Sequence, residues 1–472
     1  MTECPAKNND TPWKIFTCVG LGVFMATLDG SVVAVALPSL REEWNVGLET
    51  LQWVLSIYML VITGLLLAAG RLADLIGQKA VYLWGLAVFI LGSGLCAAAP
   101  SPALLISARA VQGAGGAMLM ACAPAIITAV FPVAHRGRGL GYLGTVVGLG
   151  LTAGPPIGGF LIGIFGWRSI FLVNLPIGVA SILYGIKELP PLCFTKPGQK
   201  FDWSGAFFFT ATCALLLLGA SGLRREGQTV LYFGLAGLSF AAFLVREKFA
   251  HDPLVNLGLF KNPEFSAALA ASLLTFSSGI SVLLLIPFYL TEIKHLSTVR
   301  MGMALMVTPF LMMILASWAG GLSDRQGVRG LTTIGLTLRA LSFAVFYFLT
   351  PDTPMAVILF ALVLMGLGNA IFMPPNTSSI MGSAPPPMLG VAGGLTAVSR
   401  NLGMSIGVAA GSAIFDLALV RAGGTTVGEA AKSNHPAFMA GWKAAMAMAF
   451  VFCVLSVLAS QLRGAEKGKT PA

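Results

Sequence analysis

The sequence predicts an all-α membrane protein whose chain crosses the bilayer many times. Of its 472 residues, 56% are hydrophobic and only 10% are charged, and the mean hydropathy is +0.84. In soluble domains roughly a quarter of the residues are charged. In lipid, a helix satisfies all of its backbone hydrogen bonds within one segment. The length of the apolar runs and an internal repeat support the same fold class.

Fourteen apolar runs are long enough to cross the hydrocarbon layer, which takes roughly 20 residues. They lie near 15–38, 50–70, 79–98, 103–130, 138–163, 168–187, 203–222, 229–246, 264–290, 301–322, 330–350, 354–380, 391–418 and 438–462. Of the 29 Lys and Arg residues, 17 fall in loops on one side, nine on the other and three inside runs. Because basic loops remain in the cytoplasm, we expect cytoplasmic termini and a location in the cell (cytoplasmic or inner) membrane.

An internal repeat divides the chain. The loop after the second run, GRLADLIGQK from Gly70, matches the loop after the tenth, GGLSDRQGVR from Gly320, at an offset of 250. The same offset places the first run on the ninth, the fourth on the twelfth and the fifth on the thirteenth. We predict six-helix halves at 1–187 and 264–472, joined by a linker with two inserted helices at 188–263. Duplicated halves around a central pathway are typical of transporters.

The fifth run, GTVVGLGLTAGPPIGGFLIG from Gly144, contains seven glycines and two prolines. Gly150, Gly154 and Gly158 recur every four residues, which gives one helix face where a neighbouring backbone can approach closely. Pro155 removes one backbone hydrogen bond and bends the helix. We predict a kinked helix that forms a sealing and rocking surface between the halves.

The repeated loop, with its pattern Gly-x-Leu-x-Asp-x-x-Gly-x-basic, resembles the signature loop of the major facilitator superfamily. Five further segments resemble motifs of its fourteen-span drug:proton antiporter branch: Leu28-Asp29 to Leu37-Pro38, Arg109 to Gly115, Gly150 to Gly159, Trp167-Arg168 with Asn174 to Gly178, and Arg400 to Gly407. This resemblance implies the major facilitator fold, with fourteen helices as 6+2+6, and multidrug efflux by proton-coupled antiport. The fifth-run motif implies export.

Two ionisable residues inside runs are candidates for proton coupling, since such groups are costly in the bilayer and mark proton relays. Asp29 lies about midway along the first run and is neutral when protonated, so it can take up and release a proton. Arg109 stays charged and would bias the protonation of Asp29. The alternatives are structural: Asp29 as a packing partner of Arg109, and Arg109 as a buried arginine satisfied by carbonyl oxygens.

The candidates for conformational gating lie in the repeated loops and on the glycine-rich helices. In the loops the two aspartates would form a latch, by capping the following helix or pairing with a basic residue across the halves; a solvated turn is the alternative. At the offset of 250, Arg400 stands opposite Gly150 and breaks the repeat. The predicted gating residues are Gly70, Asp74, Gly77, Gly154, Pro155, Gly158, Asp324, Arg325, Gly327 and Arg400.

The substrate is expected to be a hydrophobic small molecule, with cations among the candidates, held in a cavity with few polar groups. The acid that the second half offers for a cation is Asp416, near the outer end of the thirteenth run. The alternative for each apolar candidate is packing or lipid contact. The predicted substrate-binding residues are Phe24, Tyr58, Gln112, Met118, Asn369, Phe372 and Asn376.

Other classes of function lack their residues. The four histidines fall in loops or at the ends of runs without metal-ligand spacing, so we expect no enzyme, metal or cofactor. Scattered basic residues argue against nucleic acid, and the repeat argues against a channel. The remaining rival is a proton-coupled importer on the same scaffold. The expected partners are the small-molecule substrate, protons and lipid, with an envelope adaptor protein as a further candidate, and the expected state is a monomer.

Overall fold

The computed structural model describes residues 11–46, 48–192, 199–220, 228–424, 427 and 434–463. Within these residues thirteen helices are long and apolar enough to span a membrane, and a further apolar helix, Trp203–Gly219, is shorter. These helices coincide with the fourteen runs, and most extend several residues beyond them. The prediction of an all-α, multi-spanning fold is therefore confirmed.

The fourteen principal helices, labelled in chain order, are α1 Thr11–Trp44, α2 Leu48–Ile76, α3 Gln78–Ala98, α4 Pro102–Val130, α5 Arg136–Phe165, α6 Asn174–Glu188, α7 Trp203–Ala220, α8 Gln228–Phe249, α9 Pro263–Phe288, α10 Val307–Gln326, α11 Val328–Tyr347, α12 Met355–Ser383, α13 Leu389–Arg421 and α14 His435–Gln461. Short helical segments, Ser169–Leu172 and Thr298–Leu305, precede α6 and α10.

Local sequence explains where several helices begin and end. Ser101 and Asn262 cap α4 and α9 by accepting hydrogen bonds from the amides of Leu104 and Glu264, and a proline occupies the first turn of each helix. In the repeated loops, Gly77 has φ of 103° and Gly327 has φ of 88°. Side chains rarely tolerate this backbone region, which explains the second glycine of the repeat.

The helix boundaries refine the repeat. α3 and α11 begin at positions 250 apart, whereas α4 (Pro102–Val130) and α12 (Met355–Ser383) correspond at 253. The connection before α12, residues 348–354, is longer than the connection 99–101 before α4. α5 and α13 keep the offset of 253, since they begin at Arg136 and Leu389. Arg400 therefore stands opposite Val147, and the pairing with Gly150 was wrong.

The halves meet at a seam formed by α5 against α10 and by α13 against α2. The inserted helices α7 and α8 pack on each other, and α7 contacts α2 through a hydrogen bond from Thr210 Oγ1 to the Gly64 carbonyl oxygen, 2.9 Å. The inserted pair thus lies beside the first half, next to one side of the seam.

Two reciprocal glycine pairs allow the backbones to touch at the seam. A Cβ at Gly70 would clash with the carbonyl oxygen of Gly390, and a Cβ at Gly390 would clash with that of Gly70. Gly137 and Gly320 stand in the same relation on the other side. The two pairs are related by the repeat. Only glycine permits this approach.

The glycine face of α5 lies elsewhere than predicted. Gly150 and Gly154 pack against Thr27 and Ser31 of α1, and Ser31 Oγ donates to the Gly150 carbonyl oxygen at 3.1 Å. Pro155 is exposed. The segment of α5 that reaches α10 runs from Gly137 to Gly148 and precedes the proline. The sealing surface is therefore the first half of α5, because the second half packs inside its own domain.

Candidate functional site

A buried polar network surrounds Asp29 inside the first half. Arg109 Nη1 donates to Asp29 Oδ2 at 2.5 Å. Gln112 Nε2 and Asn174 Nδ2 donate to Asp29 Oδ1 at 2.8 and 3.1 Å. Both amides also reach Ser93 Oγ. Asp29 and Arg109 are each only 1% exposed. The carboxylate thus ties α1 to α3, α4 and α6.

Arg109 makes further contacts besides the one with Asp29. Its Nε donates to the Val54 carbonyl oxygen at 3.3 Å, its Nη1 also donates to Gln112 Oε1 at 2.6 Å, and its guanidinium lies 4.0 Å from the centre of the Tyr58 ring. A buried ion pair persists only when such additional contacts offset the loss of hydration. The structure brings the two predicted proton-coupling residues into one contact.

Two residues that the sequence predicts to bind substrate lie in this network. Gln112 and Tyr58 were predicted to bind substrate, but both are buried around Arg109. Ser93 was missed, since a lone serine in an apolar run gives no signal. Asn174 was noticed only as part of a motif. Its amide inside an apolar helix was the available indication of a buried partner.

Each repeated loop holds one carboxylate against the other half. Asp74 accepts hydrogen bonds from the amides of Gly390 and Val391 at 2.7 and 2.9 Å. Asp324 accepts from the amides of Gly137 and Arg138 at 2.8 and 2.9 Å. We call these two contacts the clamps, and the end of the molecule that carries them the clamp face.

The clamps use the first turns of α13 and α5. Helix N-termini have unpaired amides and a partial positive charge, so they bind carboxylates well. The predicted latch thus includes a partner that the sequence did not indicate, namely backbone amides of the other half. Gln78 orients Asp74 by donating to its Oδ1 at 3.0 Å, whereas Arg325 is exposed.

Further contacts across the seam lie above the clamps. Asn401 Nδ2 donates to Thr63 Oγ1 at 2.9 Å, and Arg400 Nη2 lies 3.2 Å from Met120 Sδ. Among the described residues, the hydrogen bonds between the halves all lie between the clamps and Asn401. Beyond that level, Gly403 of α13 packs on α9 of its own half. The structure is therefore a state closed at the clamp face.

A cavity of about 120 Å³ lies between the halves next to these contacts. Its lining comes from helices of both halves: Val23, Met120, Ala123, Pro124, Leu140, Leu143, Gly144, Val147, Ser272, Phe276, Met312, Phe372, Met373, Pro374, Asn376, Thr377, Gly393, Thr396, Ala397 and Arg400.

The lining follows the repeat at the offset of 253. Leu140, Leu143, Gly144 and Val147 of α5 correspond to Gly393, Thr396, Ala397 and Arg400 of α13. Met120, Ala123 and Pro124 of α4 correspond to Met373, Asn376 and Thr377 of α12. The two walls are therefore equivalent in position but differ in chemistry.

Two of the seven predicted substrate-binding residues, Phe372 and Asn376, line this cavity. Phe24 and Met118 pack against buried hydrophobic clusters. Asn369 accepts a hydrogen bond from Arg339. These side chains point elsewhere because every face of a buried apolar helix looks alike in sequence. Arg400, predicted as a gating residue, lies in the cavity wall.

A second buried arginine lies in the second half. Arg339 is 3% exposed, and its Nη2 donates to the Thr275 carbonyl oxygen at 2.7 Å and to Ser278 Oγ at 2.9 Å. No carboxylate pairs with it among the described residues. Gly279 of α9 also lies against its guanidinium, and this glycine corresponds to Asp29 at the offset of 250.

Comparisons with known proteins agree with the fold. The chain is 35% identical to the riboflavin transporter RibZ of Clostridioides difficile, over 85% of this chain and 88% of that protein. It is 31% identical to the tetracenomycin C resistance and export protein of Streptomyces glaucescens, over 84% and 75%. It shares the fold of the human organic anion transporter MFSD10 with a TM-score of 0.65 at 16% identity, covering 96% of this chain and 100% of the other.

The family model described as Major Facilitator Superfamily matches residues 19–408. This span includes both repeated loops, the buried network and the cavity wall up to Arg400. The chain belongs to the Major Facilitator Superfamily of membrane transporters.

Proposed function

We propose that the protein is a proton-coupled antiporter of the fourteen-span drug:proton branch, which exports hydrophobic small molecules from the cytoplasm by alternating access. The observation that supports this most is the ion pair of Asp29 and Arg109. Asp29 is a titratable group at bilayer depth, and both members of the pair lie in the first half. Asp29 can therefore change its charge without directly disturbing the cavity wall.

The route from this pair to the seam runs through α1 and α5. Thr27 and Ser31 flank Asp29 on α1 and pack against Gly150 and Gly154 of α5. The preceding part of α5 carries amides that Asp324 binds. Protonation of Asp29 removes the counter-charge of Arg109, so α1 and α4 lose their strongest contact. A shift of α1 would then move α5 and release a clamp.

The halves 1–187 and 264–472 are the units that rock in this proposal, and 188–263 moves with the first half through α7. The clamp face is cytoplasmic, as the distribution of basic loops favours, so the structure is the state closed to the cytoplasm. In this state Asp29 takes a proton from outside. The protein works as a monomer in the cytoplasmic membrane.

The direction of transport rests on the fifth-run motif and on relatives named for export or resistance. Import with protons is the second candidate. It is kept because one solved structure with this fold is a proton:xylose symporter, with a TM-score of 0.65 and 14% identity. Such a likeness shows the fold alone, and the scaffold serves both directions.

Inverted vesicles or proteoliposomes with an imposed pH gradient test the proposal. Two xanthene dyes of opposite charge, fluorescein and rhodamine 123, serve as probes. An exporter accumulates dye inside acidic inverted vesicles while protons leave. Asp29→Asn abolishes this coupled movement while the protein remains folded in the membrane, as checked by its size-exclusion profile. Dye moving in the same direction as the protons supports import, and unchanged coupled transport in Asp29→Asn removes Asp29 from the mechanism.

A further inference from the structure

The two walls of the cavity differ in a way that indicates the chemistry of the substrate. The first half contributes only apolar side chains and a glycine, from Val23 to Val147. The polar side chains all come from the second half: Ser272, Asn376, Thr377, Thr396 and Arg400. No Asp or Glu occurs in this lining.

Arg400 is the charged group of the cavity wall. Its contacts are poor for a guanidinium: Met120 Sδ at 3.2 Å, and Asn401 Oδ1 at 3.4 Å from Nε. Among the described residues no carboxylate forms an ion pair with it. A charge removed from water without a partner is costly. Arg109, by comparison, has a carboxylate, an amide, a carbonyl and an aromatic ring.

The size of the cavity limits its occupant. One water molecule needs roughly 10–15 Å³ in the measure that gives about 120 Å³ here, and fills about 30 Å³ of liquid. The cavity therefore has room for several water molecules or for a small organic molecule. Phe276, Phe372 and three methionines in the lining suit a flat aromatic body.

We propose that this cavity selects organic anions: an aromatic or apolar body lies against the first-half wall, and an acidic group, a carboxylate or phenolate, binds Arg400. The guanidinium can donate two parallel hydrogen bonds to a carboxylate in a bidentate arrangement. Thr377 and Thr396 lie on the same wall for further hydrogen bonds. This rests on the cavity being the transport site of the proposed function. It replaces the expectation of cationic substrates, for which the lining offers no carboxylate.

Binding to the purified, detergent-solubilised protein tests this inference separately from coupling and direction. Fluorescein and rhodamine 123 share a three-ring core but carry opposite charges, and fluorescence polarisation gives a Kd for each. The wild-type protein is expected to bind fluorescein more tightly. Arg400→Gln is expected to raise the Kd of fluorescein roughly 10- to 100-fold, which corresponds to the loss of one hydrogen bond to a charged group. Arg400→Lys keeps part of the affinity, and Arg400→Glu reverses the preference of the two dyes.

Asp416→Asn is the matched control. Asp416 is exposed and lies on the same helix as Arg400, outside the cavity lining, so its loss leaves both Kd values unchanged. Equal binding of the two dyes, tighter binding of rhodamine 123, absence of fluorescein binding, or an unchanged Kd in Arg400→Gln would overturn the inference. Fluorescein binding that depends on Arg400, without proton-coupled transport, would support it and reject the antiport proposal instead.

Discussion

Arg109 of the first half and Arg339 of the second are both buried among the membrane helices, but their charges have different partners. In the first half Arg109 pairs with Asp29. In the second half Arg339 has only neutral partners, and Gly279 occupies the position of the carboxylate. Both clusters lie on corresponding helices, α1, α3 and α4 against α9, α11 and α12. The two arginines are not equivalent in the repeat, since Arg109 lies on α4 and Arg339 on α11, the counterpart of α3. Of the two, Arg109 has the carboxylate beside it that can accept a proton.

The largest effect is expected from removing the arginine of each half in turn. Arg109→Gln leaves Asp29 charged and buried without its partner, which costs about 3–5 kcal/mol of stability. Arg339→Gln removes a cation that is not paired with a carboxylate and leaves only neutral acceptors without a donor. The expected loss of stability is about 1–2 kcal/mol. The midpoints of thermal unfolding in detergent compare the two variants.

The double variant Asp29→Asn/Arg109→Gln is the control for this comparison. It removes both charges and is expected to regain most of the stability that Arg109→Gln loses, yet it stays uncoupled from protons. Equal losses in Arg109→Gln and Arg339→Gln would show that the carboxylate does not distinguish the halves.

The clamps provide the next comparison. Asp74→Asn and Asp324→Asn each replace a charged acceptor of two amides by a neutral one, which costs about 1.5–3 kcal/mol of seam contact. The effect is expected to be larger for Asp74, which is 2% exposed, than for the half-buried Asp324. The readout is labelling of a single cysteine placed at Thr396, in a variant without native cysteines, by an impermeant maleimide added at the clamp face.

Faster labelling in both variants is the expected result, since weaker clamps populate the state open at that face. Glu264→Gln, in the first turn of α9 and away from the seam, is the control. If labelling stays slow in both clamp variants, the clamps do not hold this face closed and the glycine contacts alone do.

A third variant makes the halves alike. Gly279→Asp places a carboxylate beside Arg339, since the added Cβ meets only the end of that flexible side chain. The protein is expected to fold, with a change of at most about 1–2 kcal/mol, because the new charge arrives already paired. Purification yield and thermal unfolding measure this. Aggregation of this variant together with a stable Gly279→Ala would show that the second half has no room for a paired acid.

The smallest effect is expected at the end of the first half opposite its clamp. Glu43 accepts a hydrogen bond from Arg168 Nη1 at 2.9 Å, and both side chains are about 40% exposed. Exposed pairs of this kind contribute about 0–1 kcal/mol, so Glu43→Gln should shift thermal unfolding little. A loss as large as that of Arg109→Gln would mean that the exposed pair contributes as much as the buried one.

The sequence predicted the spans and the repeat because each rests on a strong local signal. Apolar runs of about 20 residues are unmistakable, and the Asp74 and Asp324 loops share Gly, Leu, Asp and Gly at the same spacing and a final basic residue. The three-residue shift before α12 was missed, since a loop can lengthen without disturbing the apolar pattern on either side. That shift alone moved the counterpart of Arg400 from Gly150 to Val147.

The cavity wall was harder to predict. Met118 and Met120 are two residues apart in one apolar run, yet only Met120 reaches the cavity. Whether a side chain on such a helix faces the cavity depends on which helices pack around it, and the sequence does not specify that packing. The partners of Asp74 and Asp324 were missed for another reason: a backbone amide leaves no mark in the sequence.

At the reciprocal glycine pairs the side chain is a single hydrogen atom, and closure of the clamp face depends on this small size. One added methyl group at Gly70, Gly137, Gly320 or Gly390 would act as a wedge and hold the helices apart at the clamp face. None of these positions touches the Asp29 network or the cavity wall. The chain thus carries four sites at which the opposite conformation could be trapped for structure determination with its proton and substrate chemistry intact.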